Sequence, residues 1–377
     1  MKKLTVKVLN SISEIGENEW NSIVGKDEMI CTYRYLRAIE ESGINVDFYR
    51  YPVFYEDGVV VAHTCICGMT FDLDIFARGV AKKFIGLVRK GFPNFLKLKL
   101  FECGTPVALG STISFKEGVD KQEILKLLAK TMEDVARQEK IGVLILRDFV
   151  EGDLPVYKSF EKMGFTRISN LPNTELEGEW NTFEEYLGSM RCKYRKKVRE
   201  RIKKAQDGGI KIEVLDSFSQ YAPDFLKLWT NTYNKAKEYK REILAEDFFR
   251  KVDVYFGKDS KAILFKKDEK ILGFMLTVKD DVTMRALFIG IDYEFNNQYF
   301  TYFNLLYNLV DQAIKDKKRK VELGITTVVP KMDLGARLIP LYAYMKHINP
   351  LLNKIIPKAF KIMFPEEHVE PRKVFRD

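Results

Sequence analysis

The chain has 377 residues, of which 46% are hydrophobic and 31% charged, and its net charge is +9. A chain of this length and apolar content buries a sizeable core, which excludes intrinsic disorder and favours two domains over one. The five cysteines lack the paired spacing of a zinc site. Lys7 interrupts the first apolar run, so the core of a signal peptide is not expected, and no stretch has the length and apolarity of a membrane span. We therefore expect a cytoplasmic protein with reduced thiols, peripheral to the membrane at most.

The positive charge is concentrated in short stretches. Residues 191–204 hold nine basic residues against one acid, residues 315–320 hold five against one, and residues 346–377 hold seven against four. Local basicity of this kind is typical of proteins with a polyanionic partner, such as a phosphate-bearing cofactor, transfer RNA or an anionic membrane surface. The alternative interpretation is a solvated helix face. We expect no DNA partner.

The first half predicts strands that alternate with helices. In chain order, the pattern predicts a strand at 4–8, helices near 13 and at 33–41, strands at 48–55, 59–67, 98–102 and 111–115, a helix at 120–139, a strand at 143–147 and a short helix at 157–163. Asp57-Gly58 is a hairpin turn, and Asp120 is an N-cap. This order indicates an α/β domain with a mostly antiparallel sheet.

The second half repeats this order. Residues 179–205 form a long helical pattern interrupted at Gly188 and ended by Gly208-Gly209. There follow predicted strands at 210–215, 262–266, 271–278, 284–291 and 321–325, helices at 222–237, 246–256 and 301–315, and a turn at 293–297. Two halves of similar order, without a visible sequence repeat, indicate duplication of one domain type.

Several residues of the second half carry a family resemblance. The basic run 189–199, the segment Asp247-Phe248-Phe249, the strand 288–293, the helix from Tyr302 to Tyr307 and the segments 322–327 and 334–336 together resemble FemAB-like transferases of the GNAT superfamily of N-acyltransferases. The resemblance implies an α/β fold of two tandem GNAT-type domains with mixed sheets flanked by helices. The expected organisation is an N-terminal GNAT-like domain at 1–175, a basic connecting helix at 176–207, a GNAT acyltransferase domain at 208–345 and an amphipathic tail at 346–377.

In GNAT domains two parallel strands diverge and hold the acyl donor between them. The resemblance places this opening between strands 285–291 and 321–325, so that Phe288, Ile289, Gly290 and Ile291 line the donor site. Gly290 permits a bulge or close backbone approach, and a free N–H near it would stabilise the oxyanion of acyl transfer. The alternative is that Gly290 packs against a neighbouring element.

A general base is needed to take the proton of an amine nucleophile. Glu322 is the first candidate, because strand alternation turns it away from Val321 and Leu323, although solvent exposure or pairing with a lysine is the alternative. Asp292 is the second candidate, or else a turn cap. Tyr342 or Tyr344 would protonate a leaving thiolate, unless these tyrosines only pack.

The donor is expected to be acetyl-CoA or another acyl-CoA, without a metal. The second strand is followed by Thr326, Thr327 and Lys331, whose side chains could bind a phosphate, a carboxylate or a hydroxyl group. The alternative for the two threonines is that they cap a helix. Asn297, Gln298, Thr301 and Tyr302 occupy the position of the pyrophosphate turn. This segment has no glycine, in contrast to the usual acetyl-CoA enzymes, but Asn297 tolerates the left-handed conformation.

Three functions therefore stay open. The first is acyl transfer from a coenzyme A thioester to an amine. The second is FemAB-like transfer from aminoacyl-tRNA to a cell-envelope precursor, for which the basic helix 189–204 would hold the RNA. The third is a non-catalytic GNAT-fold protein that binds RNA or an anionic membrane through the same helix. The apolar and lysine-rich tail at 340–364 predicts either a membrane-surface helix or a helix docked on the domain.

Overall fold

The computed structural model describes residues 3–72, 79–95, 97–236, 240–363 and 369–376. Within these residues the strands are β1 (Leu4–Leu9), β2 (Phe48–Glu56), β3 (Val59–His63), β4 (Ile66–Asp72), β5 (Lys97–Cys103), β6 (Ser114–Phe115), β7 (Val143–Val150), β8 (Thr166–Glu177), β9 (Ile210–Leu215), β10 (Ser260–Lys267), β11 (Lys270–Lys279), β12 (Thr283–Ile291), β13 (Lys320–Glu322) and β14 (Arg337–His347). The helices are α1 (Glu17–Asn21), α2 (Tyr33–Glu40), α3 (Gly79–Arg89), α4 (Lys121–Gln138), α5 (Leu154–Tyr157), α6 (Ser159–Lys162), α7 (Phe183–Ser189), α8 (Cys192–Asp207), α9 (Ala222–Lys235), α10 (Glu246–Phe256), α11 (Tyr293–Tyr299), α12 (Thr301–Lys315), α13 (Val328–Met332), α14 (Pro350–Asn353) and α15 (Ile356–Met363).

One mixed sheet runs through both halves of the chain. Its order is β6-β3-β2-β4-β5-β7-β14-β8-β13-β12-β11-β10-β9, with β1 paired to β2. Strand β14, near the C-terminal end, lies beside β7 of the first half, and β8 lies beside β13 of the second. The halves therefore exchange neighbouring strands at the centre of the sheet. The domain boundaries expected from the sequence stay a prediction.

Local sequence signals place several element ends correctly. Asp57 and Gly58 adopt positive φ at the β2–β3 hairpin, and Asp120 accepts from the N–H groups of Gln122 and Glu123 at the start of α4. Helix α8 ends before Gly208, and Gly209 has φ +76°. These ends depend only on neighbours in the sequence.

Other predictions about elements are wrong. Gly188 does not interrupt the basic helix, because α7 continues to Ser189 and the chain bends at Met190, which forms a β-bridge with Phe375. The stretch 293–297, which was predicted as a turn, belongs to helix α11, and Asp292 caps the start of this helix. Strand β13 ends at Glu322 instead of residue 325, because Gly324 turns the chain at φ +81°. Residues 340–347 are not a tail helix but belong to β14.

The cores bind the halves together. One buried cluster includes Tyr35, Leu36 and Ile39 of α2 and Phe248, Phe249 and Val252 of α10. A second cluster packs α12 against β11, β12 and β13, and a third packs α4 against the first half of the sheet. Because the first cluster contains helices from both halves, their relative position is set by apolar packing.

Candidate active site at the junction of the halves

Strands β12 and β13 separate soon after they begin to pair. Their parallel ladder joins Thr283 to Lys320, Met284 to Val321 and Arg285 to Glu322, and it stops there. Beyond this last rung, residues 285–289 of β12 are partly exposed although they lie in the middle of the sheet. The opening therefore starts at the Arg285–Glu322 rung.

The hydrogen-bond register decides which backbone groups face this opening. The N–H of Asp292 donates to the carbonyl of Leu272 (2.8 Å), and Gly290 lies opposite Phe274 in the ladder with β11. Bonded pairs recur at every second residue of an antiparallel ladder, so Gly290 turns its backbone toward β11. The backbone of Ile289 and Ile291 faces the opening. The N–H groups nearest Gly290 that face the opening are therefore those of Ile289 and Ile291.

Gly290 serves close packing of a helix on the sheet. A Cβ atom there would lie 2.6 Å from the amide nitrogen of Trp229 and 2.7 Å from the carbonyl carbon of Leu228, both in α9. The β-bulge of this strand is at Leu287, where the register with β11 shifts. Of the two interpretations of Gly290, the structure therefore supports packing.

The side chains around Gly290 also pack. Phe288 meets Phe248 edge to face, with ring centroids 5.3 Å apart, on the side of α9 and α10. Ile289 and Ile291 pack in the cluster around α12 on the opposite face. These side chains therefore belong mainly to the two cores that flank the sheet, although Phe288 and Ile289 stay partly exposed.

Glu322 is buried at the last rung of the ladder. Its carboxylate lies 3.3 Å from Nε of Arg285, its side chain is 13% exposed, and its neighbours Val321 and Leu323 point into the opposite core. Burial raises the pKa of Glu322 to about 6, and Glu175 adds to this, whereas Arg285 opposes it. Among the described residues Glu322 thus forms its ion pair with an arginine and not with a lysine, and little of its side chain meets solvent.

A cluster of charged side chains surrounds this pair. Arg285 also pairs with Asp280, and Glu175 of β8 lies directly across the ladder from Glu322. Lys320 Nζ is 2.7 Å from Glu175, and the Nδ2 of Asn173 donates to the same carboxylate (3.1 Å). The cluster combines a carboxylate of raised pKa with an arginine and a lysine.

The cluster lies where the two halves meet. Arg285 donates to the backbone carbonyl of Asp27 in the first half (3.4 Å). Sequence reasoning missed Arg285, Glu175 and Asn173. The signal that singled out Glu322, a charge inside an apolar strand, was also present at Arg285.

Two predicted catalytic residues are not brought to Glu322. Asp292 caps α11 and pairs with Lys270 (2.9 Å), and it follows Arg285 by seven strand residues, or roughly 20 Å. Tyr342 pairs in register with Phe149 and Ser169 in β14, two strands away from β13. Tyr344 is buried against Phe149 and Phe160. In the structure Asp292 therefore caps a helix and Tyr344 packs in the core, as the alternative interpretation of each residue predicted.

The predicted pyrophosphate turn is helix α11. Asn297 and Gln298 are exposed on it, and the left-handed residue is Phe300 (φ +52°) instead of Asn297. Thr301 begins α12 and is fully buried, while the N–H of Tyr302 donates to Oδ1 of Asn296 (3.0 Å). One of the first amides of α12 is therefore already bonded.

Lys331 is buried behind the end of β13. Its Nζ donates to the carbonyl of Gly324 (3.0 Å), and only 4% of the residue is exposed. Burial lowers the pKa of Lys331 to about 7, so that near neutral pH the amine is partly uncharged. An anion bound beside it would restore the charge.

Thr326, Thr327 and Tyr302 lie near the start of α13. Thr326 and Thr327 are exposed, and Thr327 adopts φ +55°, a conformation that β-branched residues rarely take. Burial raises the pKa of the Tyr302 hydroxyl, and the nearby Thr327 side chain opposes this shift. Tyr302 and Thr327 of the predicted donor site thus lie close to each other.

The first half has a similar divergence with its own ion pair. Strands β5 and β7 pair in parallel from Leu100–Val143 to Cys103–Leu146, and Arg147 then contacts Glu102 (3.3 Å). Asp148 follows at φ +68°, and burial raises its pKa. Arg241 of the second half also pairs with Glu102. Sequence reasoning missed this network because its partners are far apart in the chain.

Helix α8 combines a packed face with an exposed basic face. Arg201 lies over the Phe303 ring, 3.5 Å from its centroid, and donates to the Tyr307 hydroxyl (3.0 Å). The side chains of Lys196 and Lys203 are each 74% exposed. The helix thus presents cations to solvent beside α12.

Comparison with known proteins identifies the family. The model of FemAB-like proteins, described by peptidoglycan biosynthesis/recognition, matches residues 80–358. The chain belongs to the FemAB-like family. It is 27% identical over 323 residues to the putative 8-amino-7-oxononanoate synthase 2 of Mycobacterium tuberculosis, a match that covers 84% of this chain and 42% of that protein. This FemAB-like chain therefore spans less than half the length of that relative.

Solved structures share its fold. FemX superposes with a TM-score of 0.57 at 13% identity, over 93% of this FemAB-like chain and 99% of FemX. A tandem GNAT protein from the clavulanic acid biosynthesis pathway gives a TM-score of 0.53 at 12% identity, over 92% and 99% of the two chains. The predicted fold class, α/β with two tandem GNAT-type domains, is confirmed. The FemAB-like family and the shared fold both support an acyltransferase-type function.

The described residues contain neither a membrane-spanning helix nor a metal-binding group of side chains. Among the helices that the structure describes, none combines the length and the apolarity needed to span a bilayer. In the same part of the chain, His, Cys, Asp and Glu side chains form no group of three placed to hold a metal ion.

Proposed function

We propose that the chain is an N-acyltransferase that moves an acyl group from a coenzyme A-type thioester to an amine. The observation that carries this proposal is the separation of β12 and β13 directly after a rung that holds a buried carboxylate. Acyl transfer to an amine needs a base near the attacking nitrogen and N–H groups near the developing oxyanion. Glu322 is the base in this proposal, and a backbone N–H of β12 just beyond the last rung provides the contact to the oxyanion.

The proposed reaction balances with these groups. The amine nitrogen attacks the thioester carbonyl, a C–N bond forms, and the C–S bond breaks. The ammonium proton of the addition intermediate passes to Glu322, and the thiolate takes a proton from solvent. A carboxylate whose pKa is about 6 is ionised at neutral pH, so Glu322 is ready to accept that proton.

A second donor, aminoacyl-tRNA, is favoured by two specific observations. The segment before α12 has no glycine, and the N–H of Tyr302 is bonded to Asn296, which leaves fewer amides for a pyrophosphate. Lys196 and Lys203 are largely exposed on α8, each beside an acid of the same helix (Glu200 and Asp207), and they would meet an RNA backbone there. The family description, peptidoglycan biosynthesis/recognition, supports a cell-envelope precursor as the acceptor of this alternative.

Direct binding measurements separate the donors. Titration calorimetry with acetyl-CoA and a long-chain acyl-CoA, and filter binding with aminoacyl-tRNA, would be run on the wild type, Glu322→Gln and the double variant Lys196→Gln/Lys203→Gln. If the chain is a coenzyme A-dependent enzyme, all three proteins should bind acyl-CoA, and only Glu322→Gln should lose acyl transfer. If the wild type binds no acyl-CoA but binds tRNA, and the double variant weakens that binding, then the coenzyme A proposal is wrong and the RNA donor takes its place.

A further inference from the structure

Bulky apolar side chains are exposed at one end of the first half. Among the side chains that the structure describes, thirteen large hydrophobic residues are exposed, and seven of them fall in two short stretches. These seven, here called the end patch, are Phe84, Leu87, Phe92, Phe95, Leu351, Leu352 and Ile355. Phe92 and Leu351 are each 72% exposed, which is unusual for such side chains when they occur in groups.

The sheet brings the two stretches to the same edge. Asp72, the last residue of β4, pairs with Lys97, the first residue of β5. The last residue of β14, His347, pairs with Val143 at the start of β7, which runs parallel to β5. The chain from β4 to β5, which holds α3, and the chain after β14, which holds α14 and α15, therefore leave the sheet at one end.

A shared core supports this placement. Phe71 and Leu98, which flank the first stretch, pack in the same cluster as Ile356 and Phe360 of α15. Helix α15 is thus docked on the sheet through one face, as one of the two sequence interpretations expected. The apolar residues Leu351, Leu352 and Ile355 before it stay outside this contact.

The charge around the end patch is mostly positive. Residues 83–99 contain five cations and no acid, and residues 351–361 contain three cations and no acid. Arg89 is paired with Asp72, whereas Lys83, Lys90, Lys354 and Lys358 are exposed. Exposed phenylalanine and leucine among exposed lysines, with the neighbouring acid Asp72 already paired to Arg89, are the features of a surface that enters the headgroup region of an anionic bilayer.

We propose that the end patch docks the protein on an anionic membrane surface. The aromatic and aliphatic side chains enter the boundary between headgroups and acyl chains, and the lysines bind lipid phosphates. This surface is separate from the basic helix α8, for which a membrane role was also open from the sequence. The proposal goes beyond the proposed acyl transfer, and it is tested without a donor or an acceptor.

Vesicle flotation of the whole chain tests the proposal. The vesicles contain phosphatidylcholine alone, or phosphatidylcholine with phosphatidylglycerol. The wild type should float only with the anionic vesicles, and added salt should weaken binding. The variant Phe84→Ser/Phe92→Ser should lower the partition coefficient about tenfold, because two exposed apolar side chains lose their burial in lipid. Val254→Ser, at an equally exposed site on α10, is the matched control and should float like the wild type.

A second pair of variants separates the two basic surfaces. Lys90→Gln/Lys354→Gln should weaken flotation with anionic vesicles, while Lys196→Gln/Lys203→Gln on α8 should leave it unchanged. All four lysines are exposed, so the fold should not change. Absence of flotation, an unchanged partition coefficient in Phe84→Ser/Phe92→Ser, or a loss confined to the α8 variant would each overturn the proposal.

Discussion

Arg285 and Glu322 form a buried ion pair across the last rung that joins β12 to β13. Nε of Arg285 and Oε2 of Glu322 are 3.3 Å apart, and the two side chains are 11% and 13% exposed. Taking both charges out of water costs free energy that their attraction only partly returns. A pair of this kind, placed where two strands diverge, is more readily explained by chemistry than by stability.

Replacement of Glu322 by glutamine should lower the rate of acyl transfer by a factor of about 10²–10⁴, because the general base is removed. The fold should persist, since Arg285 keeps its pair with Asp280. In the wild type, kcat/KM should rise as the pH increases through about 6, because Glu322 accepts a proton only when it is ionised. The measurement is kcat/KM against pH for both proteins, and the variant should lack this rise.

Glu177→Gln is the matched control for this experiment. Glu177 lies on the neighbouring strand β8, where it pairs with Arg337 on an exposed surface. Its replacement should leave both the rate and the pH profile unchanged. If Glu322→Gln retains the wild-type rate and the rise near pH 6, Glu322 is not the base.

Replacement of Lys331 by methionine should increase stability at neutral pH. The folded-state pKa of Lys331 is lowered to about 7, while that of an unfolded lysine is about 10.4. Between these values the unfolded state binds more protons, so the free energy of unfolding of the wild type rises with pH across this window. We expect Lys331→Met to be more stable by roughly 1–3 kcal/mol at pH 7, and the gain to shrink toward pH 10.

Urea unfolding at pH 7, 8.5 and 10 measures this difference. Lys203→Met, at an exposed site on α8, is the control and should show no pH-dependent gain. If Lys331→Met is destabilised equally at each pH, the amine is charged in the folded protein and its bond to Gly324 outweighs burial.

Part of this site could be predicted from local patterns. The alternation of Val321, Glu322 and Leu323 assigns Glu322 to the face opposite the apolar core, and the structure places it there. The apolar strand interrupted by one carboxylate was enough to predict this position, whereas the role of Glu322 as a base stays a proposal. The order of strands and helices was likewise enough for the fold class, because each element has its own period.

The remainder depends on contacts between distant parts of the chain. No local pattern shows that β14 enters the sheet between β7 and β8. The start of the predicted tail helix is for this reason a strand in the structure. Whether Gly290 faces an opening or a helix depends on α9, some sixty residues earlier in the chain. The burial that shifts the pKa of Lys331 is likewise a property of the assembled fold.

Replacement of Gly290 by alanine should destabilise the protein by about 1–3 kcal/mol, because its Cβ would overlap the backbone of α9 at Leu228 and Trp229. Loss of donor binding in any variant with a larger side chain at Gly290 would therefore report disturbed packing, not a blocked opening. The midpoint of urea unfolding measures the effect. Gly188→Ala in α7, where a Cβ would meet no atom within 4 Å, is the control and should be as stable as the wild type or more so. Equal stability of both alanine variants would contradict the packing role.

Replacement of Thr327 by asparagine should stabilise the protein by about 1 kcal/mol. Thr327 holds φ +55°, which strains a β-branched residue and which asparagine adopts more readily. The amide oxygen of asparagine would also offer an acceptor to the Tyr302 hydroxyl, which lies near the Thr327 side chain. Urea unfolding of Thr327→Asn would be compared with Thr326→Asn, a neighbouring exposed threonine outside the left-handed region. If acyl transfer slows while stability rises, the strain at Thr327 contributes to positioning Tyr302, whereas equal stability of the two variants would show that the strain costs nothing measurable.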